Sequence, residues 1–223
     1  MDRSILLGRL ADTIASIDRR HPIRVGIDGV DAAGKTTMAD ELAARLSDCG
    51  RQIIRASIDG FHNTAAIRHP KDVSLPESFY ANSFNYPALL NNPLSPLGPD
   101  GSLRFRRAVF DFRTDARVEL KTELAEKDAI LLFDGVFLFR PEICDRWDFS
   151  ILLKVDFGVT LGRALIRDVP LFGSEEKTRQ HYQERYIPGQ QLYLAEAQPE
   201  GRASIIIDNN DVDDPEIIPA ANG

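Results

Sequence analysis

The length of 223 residues suits one α/β domain, with or without a small insertion, and the 43% hydrophobic and 27% charged residues are an ordinary globular balance. Its formal net charge of −7 argues against a nucleic-acid partner, because such partners require clustered Lys and Arg. Cys49 and Cys144 form neither a CxxC pair nor a zinc set, which indicates buried thiols in a reducing compartment. No signal-peptide pattern and no membrane-length apolar run is present, so we expect a cytoplasmic protein without a membrane partner.

The N-terminal part of the chain predicts helix, strand, helix and strand in succession. Apolar residues at near-helical spacing over 4–19 predict a leading helix within residues 1–21, which Pro22 ends. Residues 23–28 are a short β-rich run, residues 35–48 carry apolar side chains four apart, and residues 52–58 form the next strand. This order is typical of the start of a parallel sheet covered by helices.

The middle of the chain differs in composition from the segments on either side. Residues 60–104 hold six of the 13 prolines, many Asn and Ser, and several aromatic side chains. A long surface connection is one interpretation, but long structureless loops in compact domains usually have a function, so we favour a substrate-side segment with short helices. Residues 104–112 predict an exposed or edge strand.

The C-terminal part predicts three further strands and two helical stretches. Residues 128–133, 149–155 and 203–208 are apolar runs of strand length. Residues 158–168 predict a helix, and 174–197 a longer one interrupted at Pro188-Gly189. The polar tail after Asp211 is expected to be loosely held.

A complete G-x-x-x-x-G-K-[ST] pattern follows the first predicted strand, and we call residues 29–36 the phosphate loop. Its glycines let backbone N–H groups converge on phosphate oxygens at the start of a helix. Lys35 would reach the β- and γ-phosphates, and the Thr36 hydroxyl would ligate Mg²⁺. Asp28 and Asp31 either tune this site or lie in a solvated turn. The residues predicted to bind the nucleotide are Gly29, Val30, Asp31, Ala32, Ala33, Gly34, Lys35, Thr36 and Thr37.

Two acids follow strands at the edge of the sheet where ligands bind. Asp134 ends the run ILLFD, the pattern that holds Mg²⁺ in phosphate-loop proteins, although a solvated turn is the alternative. Asp59 ends IIRASID and could accept the proton of an attacking hydroxyl or help to hold the metal.

Six motifs in chain order resemble the uridine kinase and phosphoribulokinase family of P-loop kinases, especially its bacterial uridine kinase-like branch. They are GIDGVDAAGKTT, SIDGFH, FDFRTDAR, LLFDGVFL, RALIRD and RYIPGQQLYL. The resemblance spans residues 22–210. It implies an α/β fold of the P-loop NTPase type, a three-layer sandwich with a mainly parallel central sheet. It also implies a single kinase domain over 1–223, with a substrate-side insertion at 60–117 and a lid at 168–190.

The resemblance assigns roles position by position. Asp59 corresponds to the general base and metal neighbour, and Asp134 to a metal-associated acid. Arg163 and Arg167 correspond to a helix that approaches the phosphates from the lid, with Arg167 acting in catalysis beside Lys35. The implied substrate-binding residues are Phe61, His62, Phe84, Asn85, Tyr86, Phe112, Asp115 and Arg117.

The chain also departs from the uridine kinase pattern. Asn85 stands where Asp is usual, Asp134 where Glu is usual, Phe110 where Tyr is usual, and Asp115 where a pyrimidine-recognising His is usual. After Asp168 the R-G-R run of the lid is missing, so Arg163, Arg167, Arg179 or Arg185 would clamp the phosphates instead.

The sequence therefore predicts an ATP- and Mg²⁺-dependent phosphotransferase that acts on a hydroxyl of a small metabolite, with a uridine-like nucleoside as first candidate. Pantothenate, a sugar or sugar phosphate, and another riboside remain open as acceptors, as does a homo-oligomeric state. A nucleotide-binding regulatory protein without kinase activity is the alternative from a different class.

Overall fold

The computed structural model describes residues 1–219. The helices are α1 (Arg3–Ser16), α2 (Lys35–Leu46), α3 (Ala65–Arg68), α4 (Leu75–Asn82), α5 (Tyr86–Leu89), α6 (Phe157–Arg167), α7 (Val169–Phe172), α8 (Glu175–His181) and α9 (Ile187–Ala197). The strands are β1 (Ile23–Gly29), β2 (Ile53–Ser57), β3 (Arg104–Phe105), β4 (Phe110–Asp111), β5 (Ala116–Arg117), β6 (Glu123–Leu124), β7 (Ile130–Gly135), β8 (Phe149–Lys154), β9 (Ile205–Asp208) and β10 (Glu216–Ile218).

A six-stranded sheet in the order β10-β9-β8-β1-β7-β2 forms the centre of the molecule. All neighbouring strands are parallel except β10, which runs antiparallel to β9. Strand β7 lies between β1 and β2 and runs parallel to both, so the carboxyl ends of these three strands open onto one edge. This order brings the phosphate loop, which follows β1, next to the residues that end β7.

Side chains that alternate along the strands build two hydrophobic layers on opposite faces of the sheet. On one face, Ile130, Leu132 and their neighbours pack against α1 and α2. On the other face, Leu131 and Phe133 pack against aromatic residues from 60–117 and from α9. Helices on both faces of a mainly parallel sheet confirm the predicted three-layer α/β fold.

The predicted strand over residues 104–112 is wrong. Only β3 and β4 are extended, and they belong to separate two-stranded ribbons, β3 with β6 and β4 with β5. Between them Arg107 pairs with Glu123 and donates to the Arg55 carbonyl, and Val109 N donates to Gly60 O. One strand cannot form here, because its backbone groups bond to different parts of the molecule.

The predicted interruption of the helix 174–197 is real but lies elsewhere. A π-helical turn at Tyr182–Tyr186 separates α8 from α9, whereas Pro188 and Gly189 lie inside α9. Pro188 occupies the first turn, where its missing N–H is not needed. A Cβ on Gly189 would lie 2.8 Å from the Phe79 ring, so the glycine allows α9 to approach α4 closely.

The tail is held more firmly than predicted, because β10 extends the central sheet and the Met1 amino group pairs with Asp214. The last part of the predicted tail, residues 220–223, lies outside the described residues. Both cysteines are free and half-buried, rather than fully buried as predicted. Within residues 1–219, every helix is too short or too polar to cross a membrane.

Candidate functional site

The phosphate loop curves around a position in front of α2. Its backbone adopts conformations that favour glycine at Gly29 (φ 153°) and Gly34 (φ 94°), and Ala32 is also left-handed (φ 57°). A Cβ on Gly29 would lie 2.7 Å from the Leu153 carbonyl oxygen. Gly34 caps α2 without any side-chain hydrogen bond, so the first N–H groups of the helix remain available to an anion.

Lys35 lies buried in the first turn of α2 and folds back over the loop. Its Nζ donates a hydrogen bond of 2.7 Å to the Val30 carbonyl. Burial lowers the pKa of Lys35, while the carboxylates of Asp31 and Asp28 act in the opposite direction. The ammonium group is therefore held at the loop by electrostatic neighbours and a backbone acceptor, and a phosphate oxygen could replace that acceptor.

Thr36 and Asp134 are joined directly. The Thr36 hydroxyl donates to Asp134 Oδ2 at 2.7 Å, and the other carboxylate oxygen accepts from Arg55 Nη2 at 2.9 Å. The parallel register of β7 with β1 and β2 sets this contact, since Asp134 lies beside Ile27 and Ser57. Asp134 is 2% exposed, so its alternative role in a solvated turn is wrong.

The donor set around Thr36 fits Mg²⁺. A threonine hydroxyl that gives its proton to a carboxylate keeps its oxygen lone pairs for a cation. No group of three or more His, Cys, Asp or Glu in the described part of the chain could hold a metal ion. Mg²⁺ needs no such cage, because it usually takes one or two protein ligands together with phosphates and water. Thr36, Asp134 and Asp59 are the residues that would hold it, directly or through water.

Asp59 lies at the end of β2, in a short 3₁₀ turn of residues Ile58–Phe61. Its N–H donates to the Ser57 hydroxyl, and its side chain reaches solvent at the edge of the sheet. Desolvation by the surrounding protein raises the pKa of the carboxyl, and the negative charge of Asp134 raises it further. The positive charge of Lys35 acts in the opposite direction, so Asp59 lies within electrostatic reach of both residues.

The aromatic residues after Asp59 divide into two groups. Phe61 is completely buried and packs on Phe133, with ring centroids 6.1 Å apart, so it supports the sheet rather than lining an open pocket. His62 lies between Phe84 and Phe112, at centroid distances of 4.6 and 5.0 Å. Burial lowers the pKa of His62 to about 4, so this ring is neutral at physiological pH.

Two residues of the implied acceptor site, Asn85 and Tyr86, lie at the start of α5. The Asn85 side chain caps this helix by accepting from Ala88 N at 3.0 Å. Tyr86 is 6% exposed, and its hydroxyl has no hydrogen-bond partner. The Arg140 guanidinium lies 5.0 Å from the Tyr86 ring centre. The Asn85 side chain is therefore engaged in capping α5, whereas the Tyr86 hydroxyl makes no hydrogen bond within the described residues.

Asp115 is tied to the neighbouring helix. Its carboxylate accepts from Ala65 N at 2.8 Å and pairs with Arg68 at 2.9 Å, so it holds the N-terminus of α3. The carboxylate that replaces the expected histidine thus binds protein groups. Arg117 lies exposed on β5, paired in register with Phe110.

The arginines that follow β8 are engaged within the chain. Arg163 donates to the carbonyls of Asn209 and Asn210, at 2.9 and 2.8 Å, and so stays next to the phosphate loop. Arg167 forms an ion pair with Asp168 at 2.6 Å and a hydrogen bond to the Tyr182 hydroxyl. Their predicted contacts with phosphates would require at least Arg167 to exchange a partner.

Sequence reasoning missed three hydrogen bonds at the phosphate loop, two to Asp28 and one to Gln190. Asp28 is fully buried, not solvated, and accepts from Gly29 N at 2.7 Å and from the Tyr193 hydroxyl. Burial raises the pKa of Asp28 to about 6. Gln190 on the same helix α9 accepts from Asp31 N at 2.5 Å. The one available signal was that Asp28 ends an apolar strand; nothing local identified its partners.

A cavity of about 200 Å³ lies on the α9 side of the loop. Its walls include Gly29, Val30, Leu152, Phe157, Tyr193 and Leu194. Because Lys35, Thr36, Asp59 and Asp134 do not line this cavity, it is not where we place the transferring phosphate.

Comparisons with known proteins agree with this arrangement. The model of the "Phosphoribulokinase / Uridine kinase family" matches residues 24–193. Uridine-cytidine kinase B of Dictyostelium discoideum is 25% identical over 151 residues, which cover 67% of this chain and 60% of that protein. The uridine kinase of Ureaplasma parvum is 22% identical over 154 residues, covering 69% of this chain and 72% of that protein.

A solved structure described as a possible uridine kinase from Bacillus stearothermophilus superposes with a TM-score of 0.73 at 22% identity, covering 91% of this chain and 97% of that one. It has the same fold. With a family model matching most of its length, and with the phosphate loop and strand-end acids at one edge of the sheet, the chain belongs to the phosphoribulokinase / uridine kinase family.

Proposed function

We propose that this chain transfers the γ-phosphate of ATP to a hydroxyl group of a small metabolite with the help of Mg²⁺. The observation that carries the proposal is the hydrogen bond from Thr36 to Asp134, which prepares a cation-binding hydroxyl at the first turn of the helix that follows the phosphate loop. The family to which the chain belongs supports the same reaction class.

Different residues of the chain bind the phosphates and the acceptor in this reaction. The N–H groups of the phosphate loop and Lys35 hold the β- and γ-phosphates, and the lysine leaves the Val30 carbonyl when it does so. Mg²⁺, when bound, neutralises part of the phosphate charge. Positioning and charge stabilisation supply most of the rate in this chemistry, since little covalent work is asked of the protein.

Asp59 receives the proton of the attacking hydroxyl. Its position at the end of β2 brings it to the same edge as the phosphate loop, and its raised pKa makes it a better proton acceptor than an ordinary aspartate. The negative charge of Asp134 contributes to that shift. The reaction thus needs an acceptor whose hydroxyl lies between Asp59 and the γ-phosphate.

An acceptor screen followed by one substitution tests this proposal. ADP release from ATP and Mg²⁺ is measured with nucleosides, sugars, sugar phosphates, pantothenate and ribosides, each added singly. On the best acceptor, Asp59→Asn should lower kcat by about 10²- to 10⁴-fold, the usual contribution of a general base. The control Asp12→Asn changes an exposed acid on α1 and should leave kcat unaltered. Normal turnover by Asp59→Asn would remove Asp59 from the reaction.

A nucleoside is the first acceptor to try, because the curated relatives are named uridine and uridine-cytidine kinases. Their modest identity leaves sugars, sugar phosphates, pantothenate and other ribosides as alternatives. The second candidate function, a nucleotide-binding regulator, is favoured by the arginines that are already engaged within the chain, Arg163 and Arg167. ATP binding without any acceptor-stimulated ADP release would select that alternative.

A further inference from the structure

One arginine of the segment 168–190 is buried without a carboxylate. Arg185 lies in the π-helical turn of residues Tyr182–Tyr186 and is 7% exposed. Its Nη1 lies 2.6 Å from His69 Nδ1, and its Nη2 donates to the Arg68 carbonyl at 3.3 Å. Its Nε has no partner, and none of the ion pairs within residues 1–219 includes it. Single π turns inside helices occur frequently at functional sites.

A second cation lies next to the first. Arg68 Nε is also buried without a partner, and the only carboxylate on this side chain within the described residues is the partly exposed Asp115. Burial lowers the pKa of Arg185 and the charge of Arg68 lowers it further, while burial and then the charges of Arg185 and Arg68 lower the pKa of His69. We call Arg68, His69 and Arg185 the arginine cluster.

The arginine cluster lowers the stability of the folded chain. Arg185 is buried and Arg68 half-buried, so the two cations repel each other at reduced solvation, and each leaves its Nε–H unsatisfied. The rings of Phe79 and Tyr186 lie 5.8 and 5.9 Å from the Arg185 guanidinium and offset only part of this cost. An oxyanion would satisfy the free N–H groups and compensate the charge of Arg185, since the guanidinium fork matches phosphate and carboxylate oxygens.

The arginine cluster lies on the acceptor side of the candidate site. Arg68 ends α3, the first helix after the turn that carries Asp59 and His62. The charges of Arg68 and of Asp31 in the phosphate loop both act on the rings of His62 and Tyr186, so these rings lie within electrostatic reach of the cluster and of the loop. The cluster also joins residues 60–117 to residues 168–190, so a ligand bound there would contact both segments.

We propose that Arg185 and Arg68 bind an oxyanion carried by the phosphoryl acceptor, so that the acceptor is a hydroxylated metabolite with a phosphate or carboxylate group. This inference rests on the proposed kinase function and deepens it. Among the acceptors left open above, it favours a sugar phosphate or a hydroxy acid over an uncharged nucleoside.

Matched acceptor pairs test the inference with the full chain, ATP and Mg²⁺. The pairs are D-ribose 5-phosphate with D-ribose, uridine 5′-monophosphate with uridine, and D-glycerate with glycerol. We expect the charged member of at least one pair to stimulate ADP release with the higher kcat/KM. The glycerate pair separates carboxylate from phosphate recognition. A preference for the uncharged members would overturn the inference while leaving the kinase function intact, whereas no stimulation by any acceptor would refute the kinase function itself.

A substitution localises the preference. Arg185→Gln should raise the KM for the charged acceptor by about 10- to 100-fold, the effect of losing a charged hydrogen bond, while the KM for ATP stays within about twofold. Arg68→Gln provides an independent second test in case Arg185→Gln unfolds, which thermal unfolding would reveal. Arg9→Gln, exposed on α1, is the matched control and should behave as the unmodified chain. An equal loss with charged and uncharged acceptors would assign Arg185 a structural role and overturn the inference.

Discussion

Replacing Asp28 with Asn removes a carboxyl group that lies fully buried behind the phosphate loop. Gly29 N and the Tyr193 hydroxyl now donate to different oxygens of Asp28; Asn keeps one oxygen for Gly29 N and turns its NH2 group toward the Tyr193 hydroxyl, whose oxygen can accept. The substitution therefore removes the titration of this site with little change in its shape. The prediction concerns how the free energy of unfolding depends on pH.

The direction of this pH dependence follows from the shifted pKa of Asp28. Burial raises the pKa of Asp28 from 3.8 to about 6, so the folded chain binds this proton more tightly than the unfolded chain. Stability from this site is fully present below the unfolded pKa and is lost as the pH rises through about 6. At about 1.4 kcal/mol per pKa unit the whole effect is about 3 kcal/mol, of which roughly 1.3 kcal/mol falls between about pH 5 and pH 7.

Urea unfolding at a series of pH values measures this effect. Other acids titrate too, so the useful quantity is the free energy of unfolding of the Asp28→Asn variant minus that of the unmodified chain at each pH. We expect this difference to rise by about 1.3 kcal/mol from about pH 5 to pH 7, since only the unmodified chain must ionise Asp28. Parallel curves over this interval would refute the reasoning, because Asp28 would then not titrate between these values.

Two further predictions concern the loop and the core beneath it. Gly29→Ala should weaken ATP binding measured by titration calorimetry and cost about 1–3 kcal/mol of stability, because its Cβ would meet the Leu153 carbonyl at 2.7 Å. The control Gly8→Ala has nothing within 4 Å of its Cβ and lies within α1, so it should stabilise by about 0.5–1 kcal/mol; stabilisation by both variants would contradict the strain argument. Phe133→Ala should cost about 3–5 kcal/mol in urea unfolding, since its fully buried ring packs on Phe61 and Trp147; a loss below about 1 kcal/mol would mean that the core closes around the gap.

The sequence predicts the donor side of the site well because its determinants are local. Eight consecutive residues define the phosphate loop, and the strand before it and the helix after it were predictable from apolar periodicity. The rule that parallel strands open onto a common edge then places Asp59 and Asp134 beside the loop. The contact between Thr36 and Asp134 follows from the order of the strands in the sheet, so it can be expected without knowing how distant loops and helices pack.

The rest of the site depends on contacts between distant segments. Asp28 and Tyr193 are 165 residues apart, and Arg185 and His69 are 116 apart, so no local pattern could pair them. The helix break at Tyr182–Tyr186 could not be located from Pro188, because that proline lies in the first turn of α9, where a helix tolerates it. The two-residue strands β3 and β4 are likewise set by bonds to other segments rather than by β propensity.

Asp115 connects these findings to the choice of acceptor. If the carboxylate read an acceptor directly, its replacement would damage turnover of that acceptor. The structure instead pairs it with Arg68 and the N-terminus of α3, so it neutralises one charge of the arginine cluster. Asp115→Asn keeps an oxygen for Ala65 N and releases the Arg68 charge. We therefore expect the KM for a charged acceptor to fall by about two- to fivefold, corresponding to about 0.4–1 kcal/mol, as for a partly exposed ion pair.

The same variant should leave the KM for an uncharged acceptor and for ATP unaltered, since neither depends on the charge of Arg68. Initial rates of ADP release over a range of acceptor concentrations measure both constants. A selective loss of kcat/KM with an uncharged nucleoside would instead place Asp115 in the acceptor site. In that case Asp115, which stands in the place of the expected histidine, would recognise the acceptor itself. In our interpretation Asp115 instead neutralises Arg68, so that Arg185 is the one uncompensated cation of the cluster until the acceptor binds.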